Sequence, residues 1–328
     1  MQEAKTIFSI NSESDFKTKA LEVFKYQAEN NLIYQSFIQH LNINIDAINE
    51  IEEIPFLPIK FFKQFEIVTG NSEPAKIFTS SGTTGMETSK HFVTDLALYH
   101  YSLEKCFEQF YGPLTDYTIF ALLPSYLERT GSSLIDMVEY WIKKSGRPEN
   151  GFYLYNHDEL YKNLLAHEKT GKKAILIGVS FALLDFVENY KMELKNTIVM
   201  ETGGMKGRKK EITREQLHNI LKAGFGTNEI HSEYGMTELL SQGYSRGDLT
   251  FKTPHWMKIL IRETEDPLRY VEIGKTGGVN VIDLANVNSC SFIATDDLGK
   301  KVSDNQFEIL GRFDYSDVRG CNLMVINE

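Results

Sequence analysis

The sequence contains no apolar run approaching the ~20 residues needed to cross a bilayer, so no integral membrane segment is expected. Its start, Met1-Gln2-Glu3-Ala4-Lys5, lacks the basic stretch and apolar core of a signal peptide. Cysteine is scarce: Cys106, Cys290 and Cys321 lie far apart and form neither a paired disulfide framework nor a metal-ligand spacing, which predicts a reducing, cytoplasmic setting. Basic residues are outnumbered, 35 Lys and Arg against 45 Asp and Glu. The net charge of −10 argues against a protein whose main task is gripping nucleic acid, which needs a basic face. The densest basic run, 206–210, is interrupted by Gly207 and reads as a solvated approach to a helix. Repeats and low-complexity tracts are also missing, which excludes a solenoid or an array.

What is present is a chain of 328 residues, 42% hydrophobic and 24% charged, enough for one large globular domain or two modest ones. Ser12-Glu13-Ser14-Asp15 reads as a helix start, with Phe16, Ala20, Leu21 and Phe24 following at helical spacing. Residues 51–65, broken by Pro55 and Pro58, read as irregular chain packed onto the body. Asp95 predicts a cap for a helix whose stripe is Leu96, Tyr99, Leu103, Phe107 and Phe110, with Cys106 beside it in the core. Apolar runs at 118–123, 174–179 and 197–200, separated by helical stretches, predict buried parallel strands. Beyond about Lys252, closely spaced strands at 257–261 and 279–284 predict a smaller β-rich part. The expected class is α/β, with central mixed or parallel sheets flanked by helices.

Chemistry concentrates in short segments. Thr79-Ser80-Ser81-Gly82-Thr83-Thr84-Gly85 follows the apolar pair Ile77-Phe78, so a strand feeds a hydroxyl- and glycine-rich loop. Glycines let backbone amides approach phosphate oxygens and hydroxyls add hydrogen bonds, which suits a polyphosphate; standing alone, such a loop is equally a flexible turn. It lacks the Gly-Lys-Ser/Thr ending of a Walker A sequence. In Tyr234-Gly235-Met236-Thr237-Glu238, the ring can stack on adenine, the threonine hydroxyl can hold an α-phosphate and the carboxylate can hold Mg²⁺. The plainer alternatives are a half-buried core ring and a surface carboxylate. Ser180 in Gly178-Val179-Ser180-Phe181-Ala182 lacks the last glycine of a hydrolase elbow, and the segment reads instead as a strand end lining an acyl pocket, Gly178 leaving room for a chain. His231 is either a general base or a packed histidine.

Ser80 to Gly85 resembles the signature loop of the adenylate-forming superfamily, which includes acyl-CoA synthetases, luciferases and peptide-synthetase adenylation domains. Tyr234 to Glu238 is similar to that superfamily's aromatic-Gly-x-Thr-Glu motif, about 150 residues further on and in the required order. The resemblance implies ATP and Mg²⁺ as cofactors. It places Ser80, Ser81, Gly82, Thr83, Thr84 and Gly85 on the phosphates, Tyr234 and Gly235 on the adenine, Thr237 on the α-phosphate and Glu238 on the metal. Gly203-Gly204 resembles the glycine segment beside the adenine. Thr295-Asp296-Asp297-Leu298-Gly299 resembles the Thr-Gly-Asp motif whose aspartate, here Asp297, binds the ribose hydroxyls; Asp296 stands where glycine is usual. Gly311-Arg312-Phe313-Asp314 resembles the hinge motif, with Arg312 able to reach the ribose. Lys90 lies near the loop lysine of many members, displaced from the usual spacing, and is a further phosphate candidate.

Only fourteen residues follow Asp314, so the resemblance implies that the superfamily's mobile C-terminal domain and its lysine are absent. That ending resembles one subfamily, the LuxE-type acyl-protein synthetases of the bacterial bioluminescence fatty acid reductase. The likeness is carried by Leu122-Leu123-Pro124-Ser125-Tyr126-Leu127-Glu128-Arg129, Gly131-Ser132-Ser133-Leu134, Glu201-Thr202-Gly203-Gly204-Met205-Lys206-Gly207-Arg208, residues 233–242 and Arg319-Gly320-Cys321. It implies activation of a fatty or other carboxylic acid to acyl-AMP, transfer of the acyl group to Cys321, and delivery to an acyl-CoA reductase-like protein partner. Arg319, two residues from the thiol, supplies a cation that favours the thiolate. The expected organisation is a catalytic body at 1–310, α/β to about 250 and β-rich from 251, then a short hinge and tail at 311–328 carrying Cys321. The alternatives are a truncated carboxylate-CoA ligase and a nucleotide-binding subunit without turnover.

Overall fold

The computed structural model describes residues 6–80, 88–124, 130–204 and 212–313. Helix α1 (Glu13–Asn30) starts where Ser12 accepts a hydrogen bond from the Asp15 amide, and α2 (Leu32–His40) follows. The stretch expected to be irregular contains a two-residue strand, β1 (Leu57–Pro58), and a single helical turn, α3 (Phe61–Gln64). Pro58 is tolerated there because β1 is an edge strand.

Strands β2 (Lys76–Thr79) and β3 (Lys90–Val93) form a hairpin around the hydroxyl-rich loop. Helix α4 (Leu96–Tyr111) begins at Asp95, whose side chain accepts from the Leu98 amide, and ends at Gly112 with φ of 83°. Next come β4 (Thr118–Leu122), α5 (Ser133–Ser145), β5 (Gly151–Tyr153), α6 (His157–Glu168), β6 (Ala174–Val179), α7 (Ser180–Asn189), β7 (Thr197–Thr202), α8 (Arg214–Phe225), β8 (His231–Tyr234) and β9 (Gly243–Arg246). These strands order as β5-β4-β6-β7-β8-β9, parallel from β5 to β8 with β9 antiparallel. Every residue of β4 and β6 is buried, because helices cover both faces of a parallel sheet and leave its strands continuously apolar.

A second sheet takes β10 (Met257–Arg262), β11 (Thr276–Asp283), β12 (Phe292–Ser303) and β13 (Gln306–Arg312) in antiparallel pairs, while β1 joins β12 in parallel. The β-rich part expected beyond Lys252 is this sheet. Cys106 and Cys290 are both fully buried, which places Cys106 in the core as its position beside the α4 stripe predicts. Among the described residues no helix is long and apolar enough to cross a membrane.

Candidate active site

Ligands of parallel α/β sheets bind beyond the carboxyl ends of the strands. Here β7 ends at Thr202, followed by exposed Gly203 and Gly204, and β8 ends at Tyr234, followed by exposed Gly235. Gly203 has φ of 70°, a conformation that favours glycine. Strand β8, His-Ser-Glu-Tyr, is buried throughout although three of its four side chains are polar. Alternation turns Ser232 and Tyr234 to one face and His231 and Glu233 to the other.

The Tyr234 ring, 8% exposed, packs 5.9 Å from the Phe251 ring and 5.8 Å from the Phe307 ring. Its hydroxyl donates to Asp297 Oδ2 at 2.8 Å, and Arg312 Nε donates to Asp297 Oδ1 at 3.2 Å. Register supports this arrangement, since Asp297 on β12 and Arg312 on β13 are paired across the ladder. Burial raises the Asp297 carboxyl above its usual range, opposed by the Arg312 charge and the Tyr234 hydrogen bond.

Glu238 is 4% exposed. Burial lifts its carboxyl, with the Ser89 hydroxyl and the Arg312 charge pulling it back and Asp297 adding repulsion. Tyr234 and Glu238 therefore share one electrostatic neighbourhood with Asp297 and Arg312, which lie far along the sequence from them. Among the described residues Glu238 has no ion-pair partner. Mg²⁺ at a phosphate site is commonly held by one or two carboxylates together with phosphate oxygens and water, and a lone buried carboxyl suits that role. No group of three or more His, Cys, Asp or Glu side chains that could hold a metal by itself occurs among the described residues.

The neck of the hydroxyl-rich loop closes on this point. Ser80 N donates to Ser89 O at 3.0 Å, and Ser89 N donates to Ser80 Oγ at 2.9 Å. Ser81, Gly82, Thr83, Thr84 and Gly85 lie outside the described residues. On β3, exposed Lys90 alternates with buried His91, and His91 is the one that reaches the site. His91 Nδ1 lies 2.8 Å from Thr237 O, and Nε2 lies 3.1 Å from Asn286 Oδ1. Asn286 Nδ2 in turn donates to Glu238 O and Cys290 O, each at 2.8 Å, which fixes its oxygen toward the imidazole. Burial pushes the His91 ring down to about 4, so it is neutral at pH 7 and carries a single N–H between two facing oxygens. Sequence motifs did not single out Ser89, His91 or Asn286.

A second polar cluster lies behind β7. Ser180 Oγ donates to Glu201 Oε2 at 3.0 Å, and Arg214 Nε donates to Glu201 Oε1 at 3.2 Å. Arg214 also donates to Ile309 O at 3.2 Å and stacks 4.7 Å from the Phe251 ring, tying the two sheets together. Burial raises the Glu201 carboxyl, but the His218 hydrogen bond and the Arg214 charge outweigh it and hold it below the usual range. The expectation that Gly178 leaves room for an acyl chain is corrected: the Leu183 side chain fills that space, 2.7 Å from where a Cβ would stand. His231 is a packed histidine, 3.1 Å from the Tyr111 hydroxyl and lowered by burial to about 4. Cys321 lies outside the described residues.

No family model matches the chain, and no curated protein matches it in sequence. Solved structures do resemble it. ATP-bound MatB from Rhodopseudomonas palustris has a TM-score of 0.56 at 16% identity, covering 75% of this chain and 49% of its own. The chain thus spans about half the length of that protein. An open conformation of 2-hydroxyisobutyryl-CoA ligase in complex with 2-HIB-AMP and CoA has a TM-score of 0.67 at 10% identity, covering 92% of this chain and 70% of that one. The same ligase in its thioesterification state has a TM-score of 0.65 at 12% identity. The chain shares the mixed α/β fold of these ligases, as the two motifs predict.

Proposed function

We propose that this protein is an adenylate-forming ligase that uses ATP to convert a carboxylic acid into an acyl-AMP. The observation that carries this reading is the convergence of the loop neck at Ser80 and Ser89, the Thr237-Glu238 pair and the Tyr234-Asp297-Arg312 cluster at the carboxyl ends of β7 and β8.

In the first step a carboxylate oxygen of the acid attacks the α-phosphorus of ATP, the bond to the bridging oxygen breaks, and pyrophosphate leaves in line. Mg²⁺, when bound, neutralises polyphosphate charge, and Glu238 is the carboxylate that would hold it. The loop 80–85 grips the phosphates, Asp297 and Arg312 hold the ribose, and Thr237 meets the α-phosphate. In the second step a thiolate attacks the acyl carbonyl, AMP departs, and a thioester forms.

By the LuxE-type resemblance that thiolate is Cys321, which then hands the acyl group to a reductase-like partner. A second reading, free CoA as the acceptor, is favoured by the likeness to a CoA ligase fold. The test is acid-dependent exchange of pyrophosphate into ATP, followed by covalent acyl labelling. Cys321→Ser is expected to keep exchange and lose protein-bound thioester. Undiminished label on that variant removes Cys321 from the reaction, and thioester formed on CoA without protein label selects the second reading.

A further inference from the structure

Strand β8 carries a carboxyl that the adenylation chemistry leaves unused. Glu233 is 8% exposed and faces away from Tyr234. Its Oε2 accepts from Thr202 Oγ1 at the end of β7, and among the described residues no cation pairs with it. Burial, then repulsion from Glu201, pushes the carboxyl up to about 7 despite the Thr202 bond.

Gln242, 5% exposed, holds a second acceptor here: its Oε1 is buried with no hydrogen-bond partner, while its Nε2 donates to Leu240 O at 3.4 Å. Both residues flank Gly235. A Cβ on Gly235 would stand 2.3 Å from Glu233 Oε1 and 3.4 Å from Gln242 Cγ. Gly235 itself is exposed, so the approach from solvent crosses a residue with no side chain. Buried acceptors in folded proteins are almost always met by a donor. The end of the parallel sheet beside Tyr234 thus presents the Gln242 oxygen, which no protein group satisfies, next to the Glu233 carboxyl, whose hydrogen bond among the described residues is to Thr202.

We propose that Glu233 and Gln242 recognise a hydrogen-bond donor on the acid, so that the substrate is a hydroxy- or amino-carboxylic acid rather than a plain alkanoic acid. The inference rests on the adenylation reading and narrows its substrate class away from an unsubstituted fatty chain. A site built to hydrogen-bond a substrate OH or NH rejects the analogue lacking it, because its own polar groups are then left unpaired. Glu233 is a specificity residue here, distinct from Glu238, and an ammonium would hold it ionised where a hydroxyl would not.

The experiment is pyrophosphate exchange by the full chain across acids of matched length: unsubstituted, 2- and 3-hydroxy, and 2- and 3-amino. The wild type is expected to favour one donor-bearing series over the plain acids by at least about tenfold in kcat/KM. Glu233→Leu should abolish that preference, Glu233→Gln should keep a hydroxyl preference but lose an ammonium preference, and Gln242→Leu should weaken either. Each variant is checked for folding by thermal unfolding and for ATP binding; if Glu233→Leu does not fold, Glu233→Gln and Gln242→Leu decide. Exchange by the wild type without preference, or with a preference unmoved in the folded variants, overturns the inference alone. An ATP-binding wild type that exchanges with no acid in the panel overturns the adenylation reading and this inference with it.

Discussion

His91 Nδ1 lies 2.8 Å from the carbonyl oxygen of Thr237, a contact between residues 146 apart in sequence. It fixes the strand leaving the hydroxyl-rich loop against the segment that carries Glu238. Because Asn286 also packs its oxygen against the His91 ring and donates to the Glu238 carbonyl, loop exit and carboxylate are held through one set of polar contacts. His91→Leu removes the single N–H that the ring offers to the Thr237 carbonyl and the Asn286 oxygen, leaving one of these acceptors unpaired at about 1–3 kcal/mol. Thermal unfolding should register that loss, and exchange should fall by at least about tenfold, the equivalent of about 1.4 kcal/mol. His91→Gln, which retains a donor, should recover part of both. Wild-type kcat/KM in a folded His91→Leu protein would show that the contact has no part in positioning.

The two bonds to Asp297 differ in what they stabilise. The Arg312 side chain is 78% exposed, so its ion pair is worth about 0–1 kcal/mol. The Tyr234 bond is buried and ends on a charged acceptor, worth about 1.5–3 kcal/mol. Arg312→Ala is therefore expected to leave the unfolding transition nearly unchanged while raising KM for ATP, and Tyr234→Phe to lower both stability and ATP affinity. Urea unfolding alongside ATP titration separates the two; a large stability loss in Arg312→Ala would mean that the cation is structural.

Much of this arrangement is legible in the sequence because its parts are contiguous. The segment at 79–85 brings glycine and hydroxyl together and those at 234–238 and 295–299 add an acid, each at fixed spacing, and the strands β4 and β6 show as apolar runs. Their support is not legible. Ser89, His91 and Asn286 are single polar residues, and the His91 partners lie 146 and 195 positions away; a lone polar residue carries no local signal. Strand β8 escapes pattern reading for a related reason: it is buried but polar, so neither an apolar run nor alternation marks it. At Gly178 the local sequence allows space, but only the fold shows Leu183 occupying it.

Glu233 makes a pH prediction that the variant Glu233→Gln isolates, since every other titrating group is common to both proteins. The folded carboxyl sits at about 7, above the ordinary glutamate value. A raised folded pKa means that the protonated form contributes stability at low pH, and that this is lost as pH rises from about 4.5 through 7. Glutamine cannot ionise. The difference in stability between Glu233→Gln and wild type should therefore grow in favour of the variant across that window and level off above it. It should reach up to about 3 kcal/mol, since each tenfold change in proton affinity is worth about 1.4 kcal/mol. A difference flat from pH 4.5 to about 8 in thermal unfolding would show that Glu233 titrates as an ordinary carboxylate.

Two of the three cysteines are unsuited to thiol chemistry. Burial pushes the Cys106 thiol far up, and pushes Cys290 up to about 12, so neither forms a thiolate at neutral pH. Both are also 0% exposed. In the folded protein at about pH 7.5, iodoacetamide is therefore expected to spare Cys106 and Cys290, which react only after denaturation, and under the proposed acyl transfer native label falls on Cys321. Cys321→Ser should reduce native labelling to background. If acid and ATP load an acyl group onto the thiol, prior incubation with both should protect the wild type from iodoacetamide, and hydroxylamine, which cleaves thioesters, should restore labelling. Native modification of Cys106 or Cys290, read by peptide mapping, would mean that the core around α4 or β12 opens on the labelling timescale.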